Sequence, residues 1–208
     1  LRPDLNSLVE YVAIRLSLVI VCAMIPRTDS ALHDHSWQWH LQHSIKNAND
    51  LAEALGIHLD EVQTDFPLLV PLPYLNRIAK GDPMDPLLLQ VLPRKAENDP
   101  SIGFSKDPLM ELQHTQGPGI IHKYRGRLLI VTTGVCAVNC RYCFRRHFPY
   151  SEFQLSKKDW ASVKAYIDQD PSIHEVILSG GDPLIMPDNR LGELAEAIES
   201  LTQITNLR

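Results

Sequence analysis

Cysteine, glycine and aromatic residues are all scarce in this sequence of 208 residues. It contains four cysteines, ten glycines and 7% aromatic residues, and its formal net charge at pH 7 is −5. Four cysteines in a chain of this length argue against a disulfide-dense secreted scaffold. The net negative charge gives no overall basis for binding nucleic acid or acidic membranes. With 44% hydrophobic and 22% charged residues, the composition is typical of a globular chain of one or two domains.

Long hydrophobic runs are missing as well. The apolar stretch over residues 16–25 is too short to span a bilayer. Acidic residues precede it, so it lacks the positive leader of a signal peptide. We therefore expect a cytoplasmic protein without a membrane partner. Met24 is the expected natural start, which makes residues 1–23 a non-native or disordered extension and leaves Cys22 without a role.

The other three cysteines lie close together, just after a short apolar run. Cys136, Cys140 and Cys143 have the spacing Cys-x3-Cys-x2-Cys. Three thiolates on one loop suit an iron–sulfur cube, which usually takes four, and the fourth iron is then open for chemistry. The alternative is a structural zinc site made by the three cysteines and His147. The spacing favours the cluster over zinc.

Positive charge is concentrated around these cysteines. Residues 112–151 include six basic residues and no acidic residue. A basic segment in an acidic chain suggests binding of small anions. The rival interpretation is a zinc-binding module that interacts with RNA, and its support comes from aromatic residues in the same segment. The basic residues are Lys123, Arg125, Arg127, Arg141, Arg145 and Arg146, and the aromatic residues are Tyr124, Tyr142, Phe144 and Phe148.

The hydrophobic pattern predicts a helical N-terminal region over residues 24–112. Asp50 and Glu53 resemble a capping pair that opens a short helix, and Gly56 is placed to close it. Proline residues then break the chain before another short helix, predicted over residues 75–80. This region is expected to form a small cap on the rest of the chain.

From residue 113 onward the pattern changes to strand, loop and helix, twice over. Short apolar runs at residues 127–132 and 175–179 are typical of buried parallel strands. Each is followed by an amphipathic segment, the first starting after Asp159 and the second at about Asp188. The loops that follow the two strands therefore leave the carboxyl ends of the strands, where active sites of parallel α/β barrels lie.

The motifs in these two loops resemble those of the radical S-adenosylmethionine (SAM) superfamily. The superfamily pattern is Cys-x3-Cys-x-aromatic-Cys, and Tyr142 is the aromatic residue. The segment from Ser179 to Asp182, followed by Pro-Leu, resembles the glycine-rich segment that holds the methionyl end of SAM. The run over residues 136–150 (CAVNCRYCFRRHFPY) and the His-Lys-Tyr at 122–124 are similar to the lysine 2,3-aminomutase family. They are most similar to its shorter bacterial branch, which makes (R)-β-lysine for the modification of elongation factor P.

The resemblance, which runs from about Phe66 to the end of the chain, implies a fold. That fold is α/β, with an N-terminal helical cap followed by the first two strand–helix units of a partial (β/α)6 radical SAM barrel. Residues 113–208 would then be the N-terminal part of a truncated barrel, and the chain a fragment of a longer protein, inactive alone.

The resemblance also implies the cofactors and the residues that bind them. A 4Fe–4S cluster would be held by Cys136, Cys140 and Cys143, and SAM by Tyr142, Ser179, Gly180, Gly181 and Asp182. The phosphate of pyridoxal 5′-phosphate would contact Lys123, Tyr124 and Arg127, while its lysine lies outside this chain. Lys123 stands where the longer enzymes of the family carry arginine. Arg145 matches the arginine that holds the substrate carboxylate.

The implied reaction converts L-lysine to (R)-β-lysine by means of a 5′-deoxyadenosyl radical. The implied partners are L-lysine, an electron donor such as flavodoxin or ferredoxin, and, by functional link, elongation factor P and its lysyl ligase. No nucleic acid is expected. A different radical SAM enzyme that works without pyridoxal phosphate is the alternative within the superfamily.

Overall fold

A computed structural model of the chain describes residues 35–59, 62–100, 102–156 and 158–208. The predicted N-terminal extension, with Cys22 and the expected start at Met24, lies outside the described residues. Within the described residues, a helical region is followed by a four-stranded sheet flanked by helices. None of the helices in the described part is long and apolar enough to cross a membrane.

The helical region packs around its own apolar core. Leu51, Val70, Leu88 and Val91 have no exposed surface and lie at the centre of this core. In its described part, the region contains four α-helices and two short 3-10 helices. The α-helices are α1 Trp37–Gln42, α2 Ala48–Leu55, α3 Leu72–Leu75 and α4 Leu88–Val91, and the 3-10 helices are Lys95–Asn98 and Glu111–His114.

The caps of helix α2 differ in part from the prediction. Its N-cap is Asn47, whose Oδ1 accepts from the backbone N–H of Asp50 at 2.8 Å while its Nδ2 donates to the Asp50 carboxylate at 2.6 Å. The predicted capping pair of Asp50 and Glu53 is therefore wrong, because the residues that cap the helix lie one helical turn earlier. Gly56 closes the helix in the left-handed conformation, with φ of 65°, as predicted.

Helix α3 lies earlier than the helix predicted over residues 75–80. Pro71 is its N-cap, and Pro73 lies in its first turn. A proline is tolerated there because the first backbone N–H groups of a helix have no partner within the helix. These prolines therefore start the helix, whereas the sequence suggested only that they break the chain.

The sheet has the order β1-β2-β3-β4. Strands β2, β3 and β4 are parallel, and β1 pairs with β2 in the antiparallel sense. The predicted succession of strand, loop and helix is confirmed, because β2 leads to α6 and β3 leads to α7. The elements are β1 Ile120–Tyr124, β2 Arg127–Thr133, α5 Tyr150–Phe153, α6 Trp160–Gln169, β3 Glu175–Gly180, the 3-10 helix Pro183–Ile185, α7 Asp188–Glu199 and β4 Asn206–Leu207.

Strand β1 is an addition that the sequence pattern did not predict. It forms a tight hairpin with β2 in which Tyr124 pairs with Arg127. Gly126 makes the turn at a φ of 80°, and a Cβ there would lie 2.6 Å from Cε1 of His174. The turn therefore needs glycine both for its backbone conformation and for the space beside it.

The register of β2 and β3 brings the two predicted functional loops together. Val131 pairs with Ser179, and Thr133 pairs with Gly180, so both strands end at the same edge of the sheet. Helices α6 and α7 bury Val163, Ile167 and Ile198 in the core that includes β2 and β3. The candidate site thus lies at one end of a close-packed sheet, which supports it.

Two glycines offer a matched test of this packing. Gly192 lies inside helix α7 with open space around it, so Gly192→Ala should stabilise the protein by up to roughly 1 kcal/mol through helix propensity. Gly126→Ala should destabilise it by about 1–2 kcal/mol or more, because alanine is strained at positive φ. Urea unfolding of the natural gene product, followed by circular dichroism, measures both. Equal effects of the two substitutions would contradict this account of the hairpin.

Candidate functional site

The cysteine loop leaves the carboxyl end of β2 and returns to the sheet through α5. Cys140 and Cys143 lie on one turn, in which the backbone N–H of Cys143 donates to the carbonyl of Cys140 at 3.0 Å. Cys136, Cys140 and Cys143 are all half-buried free thiols. The loop thus presents three thiols at the end of the sheet where the sequence predicted a cluster.

The backbone of this loop is fastened to the helical region. Asn139 donates its backbone N–H to the carbonyl of Leu69 at 3.2 Å and its Nδ2 to that of Pro67 at 3.1 Å. The backbone N–H of Arg141 donates to the carbonyl of Gln90 at 2.7 Å. The helical region therefore forms one wall of the site. Sequence reasoning missed this wall because contacts over some fifty to seventy residues leave no local pattern.

The glycine-rich segment packs directly against the start of the cysteine loop. Gly181 donates its backbone N–H to the carbonyl of Thr133 at 2.6 Å, and Asp182 donates to that of Val135 at 2.9 Å. A Cβ on Gly180 or Gly181 would overlap the backbone oxygen of Thr133 or Val135, respectively. The two glycines therefore let the two functional segments approach each other closely.

Asp182 begins the short 3-10 helix that follows β3. Its carboxylate accepts from the backbone N–H of Leu184 at 3.0 Å, so the residue occupies a helix start. Its own backbone N–H donates to the carbonyl of Val135, the residue that precedes Cys136. The cysteine loop and the glycine-rich segment therefore meet next to Cys136.

The charge environment of the thiols suits a cationic centre. Burial, followed by the negative charges at Cys143, Asp182 and Cys140, raises the pKa of the Cys136 thiol. Bound metal ions reverse such an effect, because a coordinating thiol is deprotonated outright. Among the described residues, no three His, Cys, Asp or Glu side chains converge on a point where they could hold a single metal ion. Three cysteine thiols on one loop are the type of donor that an iron–sulfur cluster takes.

Tyr142 lies on the outer side of the cysteine turn and is 69% exposed. Its hydroxyl donates to Oε1 of Gln90 at 3.2 Å. A hydrogen bond and the charge of Cys140 raise the pKa of Tyr142. The hydroxyl of the aromatic residue of the motif is thus bound to the helical region.

Arg145 is buried, with 8% of its surface exposed. Its Nε and Nη2 both donate to the carboxylate of Glu111 at 2.7 Å, and its Nη1 donates to Oγ of Ser179 at 2.7 Å. Burial alone would lower the pKa of Arg145, but the hydrogen bonds and charge of Glu111 raise it. Because a guanidinium has five N–H donors, these bonds leave two of them for another acceptor.

Two residues that support the site were missed from the sequence. Glu111 is the acidic residue that immediately precedes the basic segment, and that position is the only sequence signal of its pairing with Arg145. Tyr150 donates its hydroxyl to the carbonyl of Gly180 at 2.8 Å. Burial raises the pKa of Tyr150 to about 12, so the hydroxyl remains a donor at neutral pH. It appeared in the sequence only as the last residue of a motif.

The basic segment is not an open cationic surface. Four of its arginines form ion pairs with carboxylates from elsewhere in the chain. Most of the positive charge of the segment is therefore neutralised internally, which its composition did not indicate. The pairs are Arg127 with Glu175, Arg141 and Arg146 with Glu97, and Arg145 with Glu111.

Lys123, Tyr124 and Arg127 lie at the opposite end of the sheet from the cysteines. They occupy the hairpin at the amino-terminal end of β2, whereas the cysteine loop follows its last residue. Six residue steps along a strand correspond to roughly 20 Å. Lys123 donates its Nζ to the carbonyl of Leu109 at 2.6 Å, and its ammonium lies 5.5 Å from the ring centre of Tyr124. The structure thus groups these three residues together, but not with the cysteine loop.

Comparison with known proteins agrees with this geometry. The profile of the Radical SAM superfamily matches residues 130–207, which include the cysteine loop and the glycine-rich segment. The L-lysine 2,3-aminomutase of Haemophilus influenzae is 41% identical over 89% of this chain and 56% of its own length. That of Escherichia coli K12 is 42% identical over 83% of this chain and 52% of its own length. That of Clostridium subterminale is 26% identical over 84% of this chain and 44% of its own length.

The chain spans about half the length of the curated relatives it matches. Its matched region contains both segments of the site, and the match to the superfamily implies a 4Fe–4S cluster and SAM. The residues present fit both groups, since three half-buried thiols lie beside a glycine-rich backbone at the carboxyl ends of two parallel strands. Residues 130–207 therefore match the radical SAM superfamily, and the chain is similar over most of its length to L-lysine 2,3-aminomutases.

Proposed function

We propose that the protein is a radical SAM isomerase that converts L-lysine to (R)-β-lysine. The observation that carries the proposal is the direct contact between the cysteine loop and the glycine-rich segment, in a chain 41% identical to an L-lysine 2,3-aminomutase. Bound at this site, the cluster and SAM would supply radical chemistry that removes a hydrogen atom from the substrate. Cys136, Cys140 and Cys143 would hold the cluster, and Tyr142 with the segment Ser179–Asp182 would hold SAM.

Arg145 is proposed to bind the substrate carboxylate. Glu111 and Ser179 fix the plane of its guanidinium and leave two N–H donors for the substrate. Because Ser179 is also the first residue of the glycine-rich segment, a substrate bound to Arg145 would lie next to SAM. This adjacency supports transfer of a hydrogen atom between the two ligands, for which the reacting atoms must be close together.

Pyridoxal 5′-phosphate is proposed as the second organic cofactor, with Lys123, Tyr124 and Arg127 as its phosphate contacts. Two cations beside a tyrosine hydroxyl suit a phosphate dianion. Its lysine is expected outside residues 1–208. The product is proposed to serve the modification of elongation factor P through its lysyl ligase, in the cytoplasm, with flavodoxin or ferredoxin as electron donor.

A radical SAM enzyme that works without pyridoxal phosphate is the second candidate. This candidate is favoured because two of the residues proposed to bind the phosphate already contact other groups of the chain. Arg127 is paired with Glu175, and Lys123 donates to the carbonyl of Leu109 at 2.6 Å. The two candidates differ in whether lysine isomerisation requires added pyridoxal phosphate.

Replacing any of the three loop cysteines with alanine should abolish the cluster. In the natural gene product that contains this chain, anaerobic reconstitution should give iron and acid-labile sulfide near four per chain, and brown absorbance that Cys140→Ala loses. Ser162→Ala, at an exposed position on helix α6, is the control. Lysine isomerisation and SAM cleavage should follow cluster content. Uptake of one zinc ion in place of iron would contradict the proposed function.

Arg145→Lys should raise the KM for lysine by roughly tenfold or more, because an ammonium cannot replace the planar fork that binds a carboxylate. The rate at saturating lysine should fall less than kcat/KM. Steady-state kinetics of (R)-β-lysine formation measure both quantities. Arg77→Lys, at an exposed position after α3, is the control. An unchanged KM would remove Arg145 from the substrate site.

Lys123→Ala should weaken binding of pyridoxal phosphate by roughly tenfold, because it removes one charged contact to the phosphate. Spectroscopic titration of the natural gene product measures the affinity, with the exposed Lys80→Ala as control. Borohydride reduction should attach the cofactor to a lysine beyond residue 208. If lysine isomerises at full rate without the cofactor, the second candidate is the correct one.

A further inference from the structure

We infer that Glu97 is a positioning residue that fixes the cysteine-bearing turn of the cluster site. The inference rests on the proposed function for the identity of the cluster, but its contacts are independent of that proposal. Glu97 lies in a 3-10 helix of the helical region, more than forty residues before Cys140 and Cys143. Nothing in its local sequence connects it with metal binding.

The carboxylate of Glu97 binds both arginines that flank the turn. It accepts from Nε of Arg141 at 3.0 Å and also from Nη2 of Arg141, and it accepts from Nη1 of Arg146 at 2.8 Å. The backbone N–H of Arg94 donates to it at 3.0 Å. The side chains of Glu97, Arg141 and Arg146 are only 15%, 6% and 14% exposed. Solvent therefore screens these pairs much less than ordinary surface ion pairs.

The aromatic ring of Phe66 completes this arrangement. The guanidinium carbons of Arg141 and Arg146 lie 5.1 Å and 5.0 Å from the centre of the ring. Arg141 also donates to the carbonyl of Phe66 at 2.8 Å and to Oγ1 of Thr64 at 2.9 Å. Each guanidinium is thus held both by hydrogen bonds and by contact with a ring, which leaves it little rotational freedom.

The position of this ion-pair cluster in the chain makes it relevant to the metal site. Arg141 directly follows Cys140, and the backbone N–H of Arg146 donates to the carbonyl of Cys143 at 3.3 Å. Cys140 and Cys143, two of the three proposed cluster ligands, are therefore each linked through the backbone to an arginine whose side chain binds Glu97. Although burial alone would raise the pKa of Glu97, the hydrogen bonds from Arg141 and Arg146 lower it to about 2. The anchor consequently remains charged at any pH at which the protein works.

The test compares Glu97→Gln with the wild type in the natural gene product. In the apoprotein, alkylation of Cys140 and Cys143 by iodoacetamide, followed by mass spectrometry, should accelerate roughly tenfold relative to the wild type, because the turn loses its anchor. In the reconstituted protein, iron should be lost to a chelator roughly tenfold faster, which is the scale of effect expected for residues that support metal ligands. Both measurements are independent of enzymatic activity.

Glu175→Gln is the matched control. Glu175 is also a buried carboxylate held by two arginines, Arg127 and Arg208, but it lies at the other end of the sheet. Its replacement should leave both the thiol reactivity and the iron loss close to the wild-type values. Equal acceleration in the two variants would overturn the inference, because general destabilisation would then explain both.

The inference would also be overturned if iodoacetamide alkylates Cys140 and Cys143 of Glu97→Gln at the same rate as in the wild type. This result does not depend on whether the wild-type protein takes up iron. Failure of the wild type to bind a cluster would count against the proposed function alone. If Glu97→Gln does not fold by circular dichroism, Thr64→Val decides, since it removes the hydroxyl that accepts from Arg141, from Arg146 and from the backbone N–H of Phe66. It should accelerate alkylation of Cys140 and Cys143 by roughly two- to fivefold, and no acceleration would reject the role of the anchor.

Discussion

The close approach of two backbone segments at the carboxyl ends of β2 and β3 is the constraint on which the site depends. Gly181 and Asp182 donate their backbone N–H groups to carbonyls of Thr133 and Val135, at 2.6 Å and 2.9 Å. The two segments can approach this closely only because the glycines between them have no Cβ. This close approach sets the cysteine loop and the glycine-rich segment at a fixed separation, and Tyr150 adds a third connection by its bond to the carbonyl of Gly180. The parallel pairing of the two strands below provides the rigid support.

The parts of this architecture that local sequence determines were predictable. The apolar runs of β2 and β3 and the amphipathic pattern of α7 identify their elements, because burial on a strand or along a helix face imposes a period on the sequence. The position of the cysteines at the end of a strand follows from the same pattern. Strand β1 was not predicted, since its outer residues His122, Lys123 and Tyr124 are polar or exposed and appeared as a binding motif only.

The parts that depend on contacts between distant residues were not predictable. A segment with six basic residues and no acidic residue has the composition of a cationic surface. In the folded chain, Glu97, Glu111 and Glu175 supply the opposite charges from positions before or after that segment. Composition counts charges along the chain, whereas electrostatic interaction depends on their separation in space. For the same reason, the sequence did not indicate that the helical region forms a wall of the cysteine loop.

The pairing of Arg145 with Glu111 has a consequence for the kind of molecule that could bind next to Arg145. The two side chains together carry no net charge, and they are buried, with 9% and 8% of their side-chain surfaces exposed. A simple anion that bound there would leave an uncompensated negative charge away from water, which is costly. A zwitterion brings its own compensating ammonium group. Under the proposed function, the neutral pair would favour amino acids over inorganic anions and plain carboxylic acids of similar size.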